Sequence, residues 1–565
     1  MKASIFALIL LIPLIVSVGI ISALSVSEAA DTVYKNGKIY TVDENHPWVE
    51  AIAIQGDRFV FVGTNDGAES WIGPDTKVVD LEGKFVTPGF HDMHSHIDIL
   101  LEPKYTGGIQ TLPLGPEELK KAILEFDKEN PGDGWIFGGT WANHEFSGAG
   151  VEPDATYLDS FITDRPVALL SVSRHELMVN SLGIELAGID KNTFEPEHAI
   201  IVKDDDGNPT GQFQDGAQSL LSHVLPQGDW NTFVEIYREG QGMMNEYGFV
   251  ATRSLHVNSD RLKAVQMLER EGALTARFDM AISWKNDLHP TVPDRAALIA
   301  GELHRYNSQH VDANQVKWHL DGTPLSKTAY FTEPYRGTTD YYGRLNATPE
   351  EMKTLMVQLD RQQIKANIHV VGDGAARLAL DAIEHAREVN GPDGPRHMLG
   401  HTAWLHNDDV NRIPELNVAA EFTHYFMDPP KKDFIAFNEN EVVAEEARPH
   451  FLNIKRVLDA GGRAVFGSDL VATPTPNIFP AMTNLLDRGD PERTITVEQA
   501  LTMLTINGAW AMDRENEAGS ITEGKYADFI VLDRNWFEIP ASDVGDTKVL
   551  TTVFEGNVVY SLGDS

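Results

Sequence analysis

Eight short apolar runs, alternating with helical stretches between about residues 88 and 510, constrain this chain more than any other feature. They read "GFHDMHSHIDIL", "GFVATRSLHV", "TARFDMAIS", "QVKWHLDG", "IKANIHVV", "HMLGHTAWL", "NVAAEFTHYF" and "RAVFGSDLV", and segments such as "AARLALDAIEHAREV" follow several of them. Strand followed by helix, repeated, builds parallel strands with helical crossovers. Eight such units fit a closed (β/α)8 TIM-type barrel in an α/β protein.

The flanks have another pattern. From Thr32, "TVYKNGKIYTV", "VEAIAIQGDRFVFVG" and "KVVDLEGKFVTPG" are short strands split by Asn-Gly, Gly-Asp and Glu-Gly turns, and "AGSITEGKYADFIVLDRN" and "VLTTVFEGNVVY" resemble them at the far end. The expected division is therefore a composite β-sandwich from residues 31–87 and 511–565, with the barrel in 88–510. Residues 101–245 are too many for one βα connection and read as a structured insertion after the first barrel strand, roofing the site.

Residues 1–30 stand apart: Lys2 precedes a long apolar stretch interrupted by Pro13, and "SVSEAAD" supplies small residues for a cut near Ala29 or Ala30. This reads as an export signal, placing the body in a periplasmic or extracellular setting, with membrane attachment only if the segment stays uncleaved. The chain has 46 Lys plus Arg against 84 Asp plus Glu, a net charge of -38, which disfavours nucleic acid as a partner. A small-molecule substrate is expected instead, and a homodimer stays open. With no cysteine, any metal site must draw on His, Asp, Glu or Lys-derived ligands.

The barrel runs share an unusual polar content near their carboxyl ends. His94 and His96 sit two apart, so an extended strand projects both to one face, where imidazole nitrogens at about 2.0 to 2.1 Å could grip one cation. In "QVKWHLDG", Lys317, His319 and Asp321 share a face opposite Val316, Trp318 and Leu320. His369, His401 and Asp469 lie near the ends of their own runs, where barrel enzymes carry their chemistry. Imidazoles plus a carboxylate match the ligand taste of zinc or another divalent ion, one or two per chain.

These stretches together resemble the amidohydrolase superfamily, and more closely its amidohydrolase 3 branch, the YtcJ-like proteins. "TPGFHDMHSH" and "GRAVFGSDLV" are similar to the superfamily's opening and closing motifs. "VKWHLDGT", "IHVVGDGAARLALDAIE", "RHMLGHTAWL" and "HELMVNSLGIELAGI" carry the branch-level likeness. The resemblance implies a hydrolase of amide or related C–N bonds, with His94 and His96 on a first metal and His369 and His401 on a second. It puts Lys317 at the position of a carboxylated, metal-bridging lysine and makes Asp469 both ligand and general base. Two departures stand out: Gly400 where relatives tend to have Glu, and Gly374 after Asp373 where they tend to have Arg.

For substrate contact the candidates are Trp141, His144, Glu145, His175 and Asn180 in the insertion, and His424 in "EFTHYF". Two other functions fit parts of the pattern: an exported metal- or solute-binding protein without catalysis, and a metal-free glycosidase barrel using Asp321 and Asp469.

Overall fold

The computed structural model describes residues 29–563, apart from 110–114, 172–174, 196–198, 285–300, 302, 430, 439–441, 471 and 474. The expected export segment falls almost wholly in residues 1–28, outside the described residues; among those described, no helix is long and apolar enough to cross a membrane.

Each of the eight apolar runs forms a strand of one parallel sheet. They are β1 (Phe90–Ser95), β2 (Phe249–Val257), β3 (Arg277–Ser283), β4 (Gln315–His319), β5 (Lys365–Val370), β6 (Met398–His401), β7 (Ala419–Thr423) and β8 (Arg463–Gly467). Neighbours in sequence are neighbours in space, so the sheet curls round until β8 meets β1. A parallel bridge pairs Ser95 with Leu470, and the Asp469 N–H donates to the His94 carbonyl at 2.7 Å. The result is a nearly closed (β/α)8 barrel, as the spacing of the runs predicts.

Helices on the outer face begin where capping chemistry allows. Thr348 caps Pro349–Arg361 with a reciprocal Glu351 contact and proline in the first turn, and Asp373–Asn390 follows β5 directly. Trp230–Glu246 packs on Ile97–Thr106 through Gly240, whose absent Cβ would lie 2.1 Å from Ile97 Cγ2. At the amino end of the barrel Arg253 is wholly buried, paired with Asp279 at 2.7 Å and donating to Asn367 at 2.9 Å. This buried network fills the barrel interior beneath the site, with Asp279 Oδ2 taking the Arg253 contacts and Oδ1 left without a hydrogen bond.

Both termini share one sandwich. Phe529–Leu532 pairs antiparallel with Phe85–Pro88, inside a six-stranded sheet that also holds Lys38–Tyr40, Val549–Phe554 and Asn557–Ser561. A four-stranded sheet built on Thr32–Lys35 covers it, with Ile39, Ile52, Phe59, Val86, Phe529 and Val553 packed together as core. Between β1 and β2 a separate five-stranded sheet runs from Ile136–Trp141 to Pro209–Asp215 and has its own apolar clusters.

Candidate metal centre at the carboxyl rim of the barrel

The carboxyl ends of the strands converge on a ring of imidazoles. His94 lies with its ring centroid 5.3 Å from His96 and 4.4 Å from His401; His401 is 4.4 Å from His369, and His369 is 4.7 Å from His319. Strand register brings them level, because His319 pairs with His369 and Val370 with His401 across adjacent parallel strands. Three sets offer ligand atoms within 4.8 Å of one another: His94, His96 and Asp469; His94, His401 and Glu421; and His175, His319 and His369.

Asp469 is presented by strained backbone. Its φ of 48° lies in the left-handed region that Asp tolerates better than most residues, and its Oδ1 stands 3.4 Å from His96 Nε2 and 3.7 Å from His94 Nε2. Just upstream, Ser468 is pinned to β1: Asp92 accepts from its Oγ at 2.5 Å and from its N–H at 2.8 Å. The same contacts that close the barrel therefore aim Asp469. Its side chain is 18% exposed, against 9% for His96 and 0% for His94 and Glu421, so Asp469 is the most accessible member of the group.

Lys317 is buried, with Nζ 3.2 Å from His94 Nε2. Burial, reinforced by Lys317 and the neighbouring imidazoles, holds His94, His369 and His401 well below the usual imidazole range. They are neutral at physiological pH, the form in which imidazole takes a metal. His369 Nε2 lies 3.3 Å from the Gly322 carbonyl, while its Nδ1 is buried without a hydrogen-bond partner, a lone pair that a cation would satisfy. The donor set fits a divalent transition metal.

Sequence reasoning missed Glu421. From the middle of β7 it reaches His94 Nδ1 at 2.7 Å, accepts from the His401 N–H at 2.6 Å and from Thr423 Oγ1 at 2.8 Å; burial pushes its carboxyl up to about 8. It puts a carboxylate beside His401 despite Gly400, where an added Cβ would meet nothing closer than 3.4 Å. The available signal was a lone acid in the strand "AAEFT". His256 was missed too: next to last in β2, it has a φ of 63° and stacks on His319 at 4.4 Å. Asp321 is a structural anchor, its oxygens accepting from the N–H groups of Val371, Gly372 and Tyr330, which removes the acid pair a glycosidase needs.

The expected substrate contacts divide. His175 reaches the rim, 5.3 Å from His369 and 5.4 Å from His319 between ring centroids. Trp141 does not: it is buried in the core of the insertion, donating to the Leu169 carbonyl at 3.0 Å. Asn180 is likewise occupied, accepting from Val167 and Gly183 N–H groups and donating to the Arg165 carbonyl. Both hold the insertion together, which explains their types without a ligand. His424 is buried at the end of β7, where burial pulls it down to about 4. The side chain of His144 lies outside the described residues.

A parallel barrel with neutral imidazoles and carboxylates massed at its carboxyl rim defines a barrel enzyme of the hydrolase class. The amidohydrolase family model matches residues 77–560, and the chain belongs to that family. A Bacillus subtilis (strain 168) protein described as "Putative amidohydrolase YtcJ" is 25% identical over 94% of this chain and 99% of its own length. An N-substituted formamide deformylase of Arthrobacter pascens is 25% identical, over 94% of this chain and 99% of that protein. In fold, a Pyrococcus horikoshii protein described as an uncharacterized metal-dependent hydrolase superposes with a TM-score of 0.69 at 22% identity, covering 90% of this chain and 99% of that one.

Proposed function

We propose that this protein hydrolyses a C–N bond of a small amide-type substrate, such as an N-formyl, N-acyl or cyclic amide, with divalent cations at the rim. The observation that carries the reading is the convergence of His94, His96 and Asp469, from opposite ends of the barrel's sequence, with ligand atoms within 4.8 Å. His94, His96 and Asp469 would hold one cation, for which zinc suits the donors, and His369 and His401 border a second position. When bound, such a cation supplies Lewis acidity toward a carbonyl and toward a water.

The chain's own groups do the rest. Asp469, partly exposed beside both imidazoles, takes a proton from water at its carboxylate and returns it to the leaving nitrogen. Glu421 fixes the His94 ring through Nδ1, leaving Nε2 as the ligand atom. Lys317, if carboxylated, would add a bridging carboxylate between the two positions. The deformylase named above acts on substituted formamides, which supports testing N-formyl compounds first.

The experiment is metal analysis of the purified full chain, followed by a panel of N-formyl, N-acyl, cyclic amide and carbamate compounds with and without chelator. Hydrolysis that chelator removes and His94→Ala or Asp469→Asn abolishes, with the fold intact by circular dichroism, is expected. Full activity in either variant defeats the assignment. The apolar start of the chain, with Lys2 ahead of it, supports an exported enzyme; the mass of the mature N-terminus checks that.

A further inference from the structure

The rim carries more imidazoles than the proposed chemistry uses. His175 and His319 lie on the side of His369 away from His94, and one ring nitrogen from each of the three falls within 4.8 Å of the others. His319 comes from the end of β4, His369 from β5, and His175 from the insertion, just before the strand Glu176–Val179.

Each ring is already oriented by a protein partner. His175 Nδ1 lies 2.7 Å from Asp215 Oδ1, the carboxylate-to-imidazole arrangement that raises ligand basicity and turns Nε2 inward. His369 has its Nε2 on the Gly322 carbonyl at 3.3 Å, and its Nδ1 is the buried nitrogen without a partner. His319 Nε2 lies 3.3 Å from His256 Nε2, and His256 Nδ1 lies 3.0 Å from Ser283 Oγ. The His319 and His256 rings are stacked, 12° apart with centroids 4.4 Å from each other, which fixes the plane of His319. The outcome is three imidazoles, each held from behind. Tetrahedral ligation at about 2.0 to 2.1 Å needs nitrogens roughly 3.3 Å apart, a small side-chain adjustment from the present spacing.

We infer that the cation position at His369 is completed by His319 and by His175 of the insertion, so that a divalent d-block cation ties the insertion to the mouth of the barrel. Imidazole donors select zinc, cobalt or nickel over magnesium or calcium. The inference rests on the reading that a cation occupies His369, and it adds that the insertion is a ligand-bearing part of the site. Removing the metal should loosen the roof over the rim.

The test uses metal-stripped full-length protein titrated with Co2+, with stoichiometry by elemental analysis, ligand-field absorption, and trypsin digestion as an independent readout. Two cobalt ions per chain are expected in the unaltered protein, with the insertion protected from trypsin. His175→Gln and His319→Phe should each weaken the second ion on the order of tenfold or more and lose that protection, while the ion lost in Asp469→Asn stays. His175 sits on the separately packed insertion, so His175→Gln keeps the test decisive if His319→Phe misfolds. Two ions bound with unchanged affinity in His175→Gln would overturn the inference and leave the proposed hydrolase standing. Uptake of no cobalt by the unaltered chain would sink both.

Discussion

Oε2 of Glu421 stands 2.7 Å from Nδ1 of His94, joining β7 to β1 past the intervening β8. Neither side chain has any solvent exposure, so the pair is a fixed support and not a fluctuating surface contact. Removing the acid while keeping the shape should leave the barrel folded and the imidazole less firmly held. Glu421→Gln is therefore expected to lower metal affinity by about 10- to 100-fold, read by competition with a chromogenic chelator.

Gly467 makes that support possible. A Cβ there would lie 2.1 Å from Glu421 Oε1 and 2.6 Å from His94 Cβ, so any side chain displaces both. Gly467→Ala should cost about 1–3 kcal/mol of stability through overpacking and weaken metal binding at the same time. Urea unfolding of the metal-free variant separates the two effects. An alanine tolerated without change in either would show that the rim yields more readily than its packing implies.

How far this was legible from sequence depends on the range of the contact. Alternation within one strand exposed His94 with His96, and Lys317 with His319 and Asp321, because period two is local arithmetic. The eight runs gave the barrel because strand order follows chain order there. Glu421 escaped because its partner is 327 residues away, and a single acid in "AAEFT" looks the same whether it faces a histidine or water. Trp141 and Asn180 sit away from the rim for the converse reason: they bond to the backbone of Leu169, Val167 and Arg165 inside the insertion, whose own core no pattern in the sequence separates from a pocket wall.

Lys317 gives a chemical prediction. Its Nζ is buried 3.2 Å from His94 Nε2, a costly place for an ammonium among imidazoles and a fitting one for a carbamate beside cations. Lys317→Ala should abolish activity, and added short carboxylic acids should restore part of it. Intact mass of the metal-loaded protein should show one added carbon dioxide. Unmodified lysine in active, loaded enzyme would exclude the bridge.

The last prediction concerns stability and lies away from the metal centre. His397 is buried just before β6, and its Nδ1 accepts a hydrogen bond from the Ala366 N–H at 3.0 Å. A proton on Nδ1 would set two donors against each other, and burial, helped by Arg387, pulls this imidazole down to about 3. In the unfolded chain the same group titrates near the ordinary 6.5. Its folded value is the lower one, so the unfolded state binds the extra proton and the group's contribution is lost as pH falls below about 6.5. At roughly 1.4 kcal/mol per unit the loss reaches about 2 kcal/mol at pH 5. His397→Gln keeps an acceptor for Ala366 and cannot titrate, so its denaturation midpoint should fall less than that of the unaltered chain between pH 7.5 and 5. Parallel pH profiles for the two proteins would show that His397 remains neutral in the unfolded state or is charged in the folded one.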